Sequence, residues 1–142
     1  MPEETVAEVM QVYAADAIAS VREVLALDYS MESLRAVEQF LEIGRAGFEG
    51  EDGRLRSLAM MWGAYVGEVL RRRWGGEWCF REEGPFQRKL CLVIRDPGSD
   101  PPTREITLFP PERVYKQLIN GSNDGIWSYG CAIEGRLSKR PK

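Results

Sequence analysis

The 142-residue chain contains no histidine, and this absence excludes several kinds of chemistry. Without an imidazole, the protein has neither a Ser–His nor a Cys–His nucleophile pair, and it lacks the commonest general base near neutral pH. Metal sites with histidine ligands are excluded for the same reason. The sequence therefore argues against the familiar hydrolase and metalloenzyme sites, and we expect no cofactor.

Cysteine is scarce and scattered. The chain has three, Cys79, Cys91 and Cys131, an odd number without any C-x-x-C spacing. Because a structural zinc ion needs four ligands in closely spaced pairs, we expect no metal site. Because disulfides form mainly in oxidising compartments, the same pattern favours three free thiols and a cytoplasmic location.

Long apolar runs and targeting signals are missing too. The longest uncharged stretch of the most apolar segment covers residues 58–67, far short of the roughly 20 residues that a membrane-spanning helix needs. Residues 1–10 are acidic and carry no cleavable signal pattern. The glycines of residues 44–50 follow a helix instead of linking a strand to a helix, so they do not form a phosphate-binding loop. We expect no membrane partner.

Helical periodicity fills the first half of the chain, where apolar residues recur at spacings of three and four. Three helices are predicted, at residues 1–27, 31–46 and 54–74. Ser30 is a suitable N-cap for the second helix. The third, which we call the spine helix, ends in three arginines followed by Gly75 and Gly76, a pattern typical of a helix C-terminus.

The spine helix also carries a stripe of small residues beside its apolar face. Ala59, Gly63 and Gly67 lie four positions apart and therefore on one side of the helix. An interior glycine costs a helix about 1 kcal/mol relative to alanine. We therefore expect another element to approach this stripe closely, and the first or second helix is the predicted neighbour.

The pattern changes to short runs rich in β-branched and aromatic residues after Gly76. The predicted strands are residues 77–81, 89–95 and 104–109. The segments EEGPF and DPGSDPP separate them and are typical of turns. These features predict a small, mostly antiparallel three-stranded sheet within residues 77–109.

Two C-terminal helices are predicted within residues 111–137. Proline suits the first position of the earlier helix, and Asn120-Gly121 suits its end. Ser122, Asn123 or Asp124 is the predicted N-cap of the last helix. Helices, then strands, then helices indicate an α+β fold, with the N-terminal helices packed on the sheet. We expect one domain over residues 1–142.

Four segments resemble, in this order, a family of small uncharacterised bacterial α+β proteins, a domain of unknown function. They are LDYSMESL, GAYVGEVL, GGEW and FPPERVYKQLINGSNDG. The shared patterns are G-A-Y-x-G-E-V, G-G-x-W and F-P-x-x-R-V-x-K-x-L-x-N-G. The resemblance implies an α+β domain and no established activity. Gly125 departs from the pattern, which has a serine at that position, and leaves the start of the last helix less defined.

Glu68 is the ionisable residue of greatest interest, because it lies in the middle of the spine helix beside the stripe that we expect to be buried. A buried carboxylate needs a partner. We interpret it as a structural anchor that binds an arginine from the sheet or the final helix. The alternative is a ligand or acid–base site in a cleft, formed by Glu68 with nearby arginines such as Arg72.

Charge is distributed unevenly along the chain. Residues 1–52 hold 12 acids and three bases, whereas residues 53–142 hold 10 acids and 16 bases. One interpretation is that the two halves pack against each other and that their solvated faces carry opposite charges. The other is that the second half presents a basic surface to an anionic partner. Arg71, Arg72 and Arg73 point about 100° apart on a helix and so do not form one flat surface. No nucleic-acid-binding motif is present, and we do not expect such a partner.

Tyr115 and Lys116 are further candidates for contact with a partner, although an ordinary amphipathic helix also explains them. The leading hypothesis is a non-catalytic, cytoplasmic protein-binding domain, such as an immunity protein that neutralises a toxin or a similar accessory factor. Its partner would be another protein, and self-association is left open. The alternative hypothesis is a small-ligand binder or enzyme that uses Glu68 with nearby arginines.

Overall fold

The computed structural model describes residues 5–48, 51–84, 87–95 and 105–138. Within them lie five α-helices and a three-stranded antiparallel sheet, so the predicted α+β class is confirmed. The elements in chain order are α1 (Val6–Ser20), α2 (Ser33–Gly44), α3 (Asp52–Trp74), β1 (Glu77–Gly84), β2 (Gln87–Arg95), β3 (Glu105–Leu108), α4 (Pro110–Asn120) and α5 (Ile126–Ser138). The predicted proline-rich turn at residues 96–102 lies outside the described residues.

The first helix is shorter than predicted. The hydroxyl of Thr5 accepts a hydrogen bond from the Glu8 N–H at 3.1 Å and caps the start of α1. At the other end, the Ser20 hydroxyl donates to the carbonyl of Ala17 at 2.7 Å, and the Val21 N–H bonds the carbonyl three residues back. Such local bonds compete with the helical pattern. The prediction that this helix continues to residue 27 is therefore wrong.

The second helix begins two residues later than predicted. The Ser33 N–H bonds the Ser30 hydroxyl at 3.2 Å, as expected of a capping serine, but a turn separates Ser30 from the start of α2. The helix ends at Gly44 and continues as a short 3₁₀-helix at Arg45–Phe48. The spine helix corresponds to α3 and begins two residues earlier than predicted.

The sheet has the order β1-β2-β3. Cys79 lies opposite Cys91, and Leu92 lies opposite both Trp78 and Leu108. Because side chains alternate across a strand, Trp78, Leu92 and Leu108 share one face. All three are buried and belong to the same apolar cluster as the helices.

Helix α3 is buried on all sides over residues 62–70, not only on the predicted apolar face. Helices α1 and α4 both pack along it. On a third side, the Trp62 ring lies 5.7 Å from the ring of Phe40 in α2. A helix surrounded in this way forms the centre of the fold.

The glycine stripe of α3 faces different neighbours from those predicted. A Cβ atom added to Gly63 would lie 2.4 Å from the Cα of Pro111, and one added to Gly67 would lie 2.0 Å from the indole ring of Trp78. The stripe therefore admits the start of α4 and a side chain of β1. The prediction that it faces the first or second helix is wrong, although close packing itself is found.

The start of α5 is held by side chains from two other helices. The Ile126 N–H donates to Oε1 of the buried Gln117 at 3.0 Å, and the Trp127 N–H donates to Oε1 of Glu38 at 3.1 Å. Among the described side chains, these replace the predicted cap from Asn123 or Asp124. Helix α4 ends before Gly121, whose φ of +83° supports the predicted Asn-Gly stop.

Candidate functional site

Glu68 lies inside the protein, with no exposed surface. Its carboxylate accepts two hydrogen bonds from Arg71, at 2.7 Å from Nε and 2.9 Å from Nη2, and a third from Nε1 of Trp78 at 2.9 Å. The arginine therefore comes from the same helix, one turn along, where side chains three apart meet. The predicted arginine from the sheet or the final helix is wrong, because the sheet contributes the Trp78 indole instead.

The surroundings of Glu68 keep it ionised. Burial acts to raise the pKa of Glu68, but hydrogen bonds from Arg71 and Trp78 and the charges of Arg71 and Arg72 together hold that pKa below its usual value. A carboxylate with a lowered pKa is a poor general acid at neutral pH. The carboxylate is also shielded from solvent and is therefore not available to a substrate. Its hydrogen bond with Trp78 joins α3 to β1.

Arg72, the second candidate of this region, lies in the last turn of α3 and packs against the loop between α1 and α2. Its guanidinium lies 3.5 Å from the centre of the Tyr29 ring, whose other neighbour is Tyr65 at 5.2 Å. Tyr29 has a φ of +63°, a costly conformation for a residue other than glycine. Its N–H donates to the Tyr65 hydroxyl at 3.0 Å, which in turn lies 2.7 Å from the Ser33 hydroxyl. Arg72 thus helps to hold the α1–α2 loop.

Tyr115 and Lys116 lie on the outward side of α4. With Glu112 and Ile119 they occupy positions i, i+3, i+4 and i+7, and we call these four residues the α4 stripe. The Tyr115 hydroxyl donates to the carboxylate of Asp52 at the start of α3. Because Asp52 and Glu68 are 16 residues apart on one helix, about 24 Å separates the two regions. The four predicted site residues therefore form two separate clusters.

Two depressions flank the α4 stripe. The first, of about 230 Å³, is lined by Thr107, Leu108, Phe109, Glu112, Arg113, Lys116 and Tyr129. The second, of about 240 Å³, is lined by Arg56, Ala59, Met60, Pro111, Glu112 and Tyr115. Glu112 forms the ridge between them. The stripe and its two depressions make one uneven surface of apolar, aromatic and charged groups.

Cations outnumber carboxylates around the first depression. Glu112 lies 3.5 Å from Lys89 and 4.0 Å from Lys116, and Arg113 lies 3.8 Å from Asp124. These long, partly exposed pairs hold their charges weakly. Three cations share two carboxylates, so one positive charge remains that can bind a further anionic group.

Arg113 and Tyr129 were not selected as site residues from the sequence. The guanidinium of Arg113 lies 4.8 Å from the centre of the Tyr129 ring, and burial raises the pKa of Tyr129 to about 12. The sequence could have indicated Arg113 as a site residue, because Arg113 is part of the F-P-x-x-R pattern. No such pattern indicates Tyr129, because α5 approaches α4 only in the folded protein.

The described residues contain no group of three or more Cys, Asp or Glu side chains that could hold a metal ion. The closest pair of thiols is Cys79 and Cys91, whose sulfur atoms lie 3.5 Å apart across β1 and β2. Burial and the neighbouring thiol raise the pKa of Cys91 to about 11. Among the described helices, none is long and apolar enough to cross a membrane.

Comparison with known proteins gives no family for this chain. No protein-family model matches it, and no curated protein or solved structure matches it significantly. The resemblance described above thus depends on its motifs alone. Two of these motifs pack against each other, since GAYVGEVL begins at Gly63 and FPPERVYKQLING contains Pro111, the residue that Gly63 contacts.

Proposed function

We propose that this protein is a non-catalytic domain that binds another protein through the α4 stripe. One observation carries the proposal: Ile119, with 48% of its surface accessible, lies on the same side of α4 as Tyr115 and Lys116, which line the two depressions. A large apolar side chain and a tyrosine within a charged rim are typical of protein interfaces. The depressions provide room for side chains of the partner.

The proposed partner presents carboxylates toward the first depression. Lys89, Lys116 and Arg113 offer one more charge than Glu112 and Asp124 neutralise. Complementary charge of this kind speeds association and sets the orientation of the complex. Since these pairs are exposed to solvent, the affinity should fall as the salt concentration rises.

A small anionic ligand is the second candidate. Arg113, Lys116 and Thr107 all line the first depression, whose volume suits a small carboxylate or phosphate compound. The enzyme alternative based on Glu68 has less support, because that carboxylate is buried and fully hydrogen-bonded within the protein. A ligand of this class would compete with the protein partner for the same surface.

We also propose a cytoplasmic location and an accessory role of the immunity-protein kind in a bacterium. Three free cysteines, one of them exposed, suit a reducing compartment. The neutralising role rests on the absence of catalytic patterns from the sequence and on the exposed α4 stripe. It requires that the partner be a protein whose activity falls on binding.

Affinity capture from extracts of the native source tests the proposal. Ile119→Asp and Lys116→Glu should each remove the partner that the unchanged protein retains. Val24→Asp is the matched control, since Val24 is 69% exposed and lies outside the stripe. All three variants should unfold at a similar denaturant concentration. Equal capture by every variant would contradict the proposed surface, and displacement by a small carboxylate or phosphate compound at constant ionic strength would favour the second candidate.

A further inference from the structure

A second surface lies where α1 packs against α3 and the first strand of the sheet. It contains an apolar groove of about 310 Å³ lined by Val6, Val9, Met10, Tyr13, Met60, Phe80 and Leu90. Phe80 is 46% exposed on the edge strand β1. An apolar groove with exposed aromatic walls is typical of a contact surface.

The outer side of α1 extends this apolar surface. Val9, Val12, Tyr13 and Asp16 lie at i, i+3, i+4 and i+7, so they share one side of the helix. Val12 is 57% exposed and Tyr13 is also exposed. We call these four residues, together with the groove and Arg88, the α1 patch.

Unpaired charges of opposite sign lie at the two edges of the α1 patch. Asp16 ends the stripe on α1, and Arg88 lies on β2 with its guanidinium 4.7 Å from the centre of the Phe80 ring. Within the described part of the chain, neither Asp16 nor Arg88 has an ion-pair partner. The Asp16 edge therefore attracts cations, and the Arg88 edge attracts anions because Arg88 forms no ion pair with Glu82, its exposed cross-strand neighbour.

We infer that the α1 patch is the interface of a two-fold symmetric homodimer. In such a dimer the same patch meets itself, so the acidic edge of each copy faces the basic edge of the other. Two Asp16–Arg88 pairs then flank an apolar centre made of Val12, Tyr13 and Phe80. A partner of uniform charge would be repelled by one of the two edges, whereas a second copy satisfies both.

The dimer leaves the α4 stripe free for a different partner. Met60 lines both the groove of the α1 patch and the second depression beside α4, so the two surfaces are neighbours without being the same. The inference does not depend on the proposed function. The dimer should persist in Ile119→Asp, which disrupts only the α4 stripe.

Sedimentation velocity over a wide concentration range, with two charge-reversed variants, tests this inference. In Asp16→Arg and in Arg88→Glu, like charges meet at both edges, and each variant should dimerise about tenfold or more weakly than the unchanged protein. Mixing the two variants restores both attractive pairs. In the mixed dimer, Asp16 of the Arg88→Glu copy faces Arg88 of the Asp16→Arg copy. The two substituted side chains, which have opposite charges, face each other at the other edge. The mixture should therefore form dimers again, as should the double variant.

Arg95→Glu is the matched control, since Arg95 is an exposed arginine on the same strand but on the opposite face from Arg88. It should dimerise like the unchanged protein. Circular dichroism should show that all variants are folded. A monomer at every concentration of the unchanged protein, or dimers of unchanged affinity in both single variants, would overturn the inference. So would a mixture that stays monomeric.

Discussion

Glu68 carries a negative charge in the protein interior, and three hydrogen bonds keep it there. A buried ion without partners is very costly, so the Arg71 fork and the Trp78 indole are as necessary as the carboxylate itself. The sequence predicted burial correctly, but it placed the partner arginine on the sheet or the final helix instead of one turn along α3. It did not indicate the indole, because the contact between α3 and β1 forms only when the chain reverses at Gly75 and Gly76.

Glu68→Gln should lower the free energy of unfolding by about 3 kcal/mol at neutral pH, because the buried ion pair with Arg71 loses its negative partner. Glu134→Gln is the matched control. Glu134 is partly exposed and lies 3.9 Å from Arg73, so its loss should cost less than about 0.5 kcal/mol. Urea denaturation measures both values. A cost below about 0.5 kcal/mol for Glu68→Gln would show that Glu68 is no anchor.

The pH dependence of stability should report the same residue. Because the folded protein holds the pKa of Glu68 below its ordinary value of 4.5, the unfolded chain binds a proton first as the pH falls. The stabilisation is therefore complete above about pH 4.5 and is lost as the pH drops through the folded pKa. Glu68→Gln should lack this component, so its stability should fall less steeply with acid. Parallel curves for the two proteins would contradict this assignment.

Helix α3 determines how the other elements are placed. Its glycines allow Pro111 and Trp78 to approach the helix backbone, which fixes the start of α4 and the first strand. Element types and order followed from the sequence, because periodicity and turn residues are local signals. The capping of α5 did not, because Gln117 and Glu38 are brought to Ile126 and Trp127 by tertiary packing.

Gly63→Ala should destabilise the protein by about 2 kcal/mol, because the new methyl group would lie 2.4 Å from the backbone of Pro111. Gly135→Ala in α5 is the control, since no described atom beyond its chain neighbours and its own helix backbone lies within 4 Å of the added carbon. That substitution should stabilise the protein by about 0.5–1 kcal/mol through helix propensity. Chemical denaturation of the two variants measures this contrast. Equal effects of both substitutions would show that α4 does not press on α3.

Across the protein, the candidate site residues divide between the two ends of α3. Glu68 and Arg72 hold structure at one end, whereas Tyr115 and Lys116 are on the outward side of α4 near the other. Residue type and position within a predicted helix were sufficient to select these residues as candidates from the sequence. The sequence could not separate them into two clusters, because that depends on the distance along α3 and on the docking of α4.

Site-specific photo-cross-linking in the cells that naturally make the protein tests which cluster meets the partner. A photoreactive amino acid in place of Lys116 would lie on the α4 stripe, and one in place of Arg73 would lie at the exposed end of α3 beside the Glu68 cluster. We predict a covalent adduct with another protein from position 116 and none from position 73. An adduct from position 73 alone would contradict the proposed interface and place recognition at the Glu68 end.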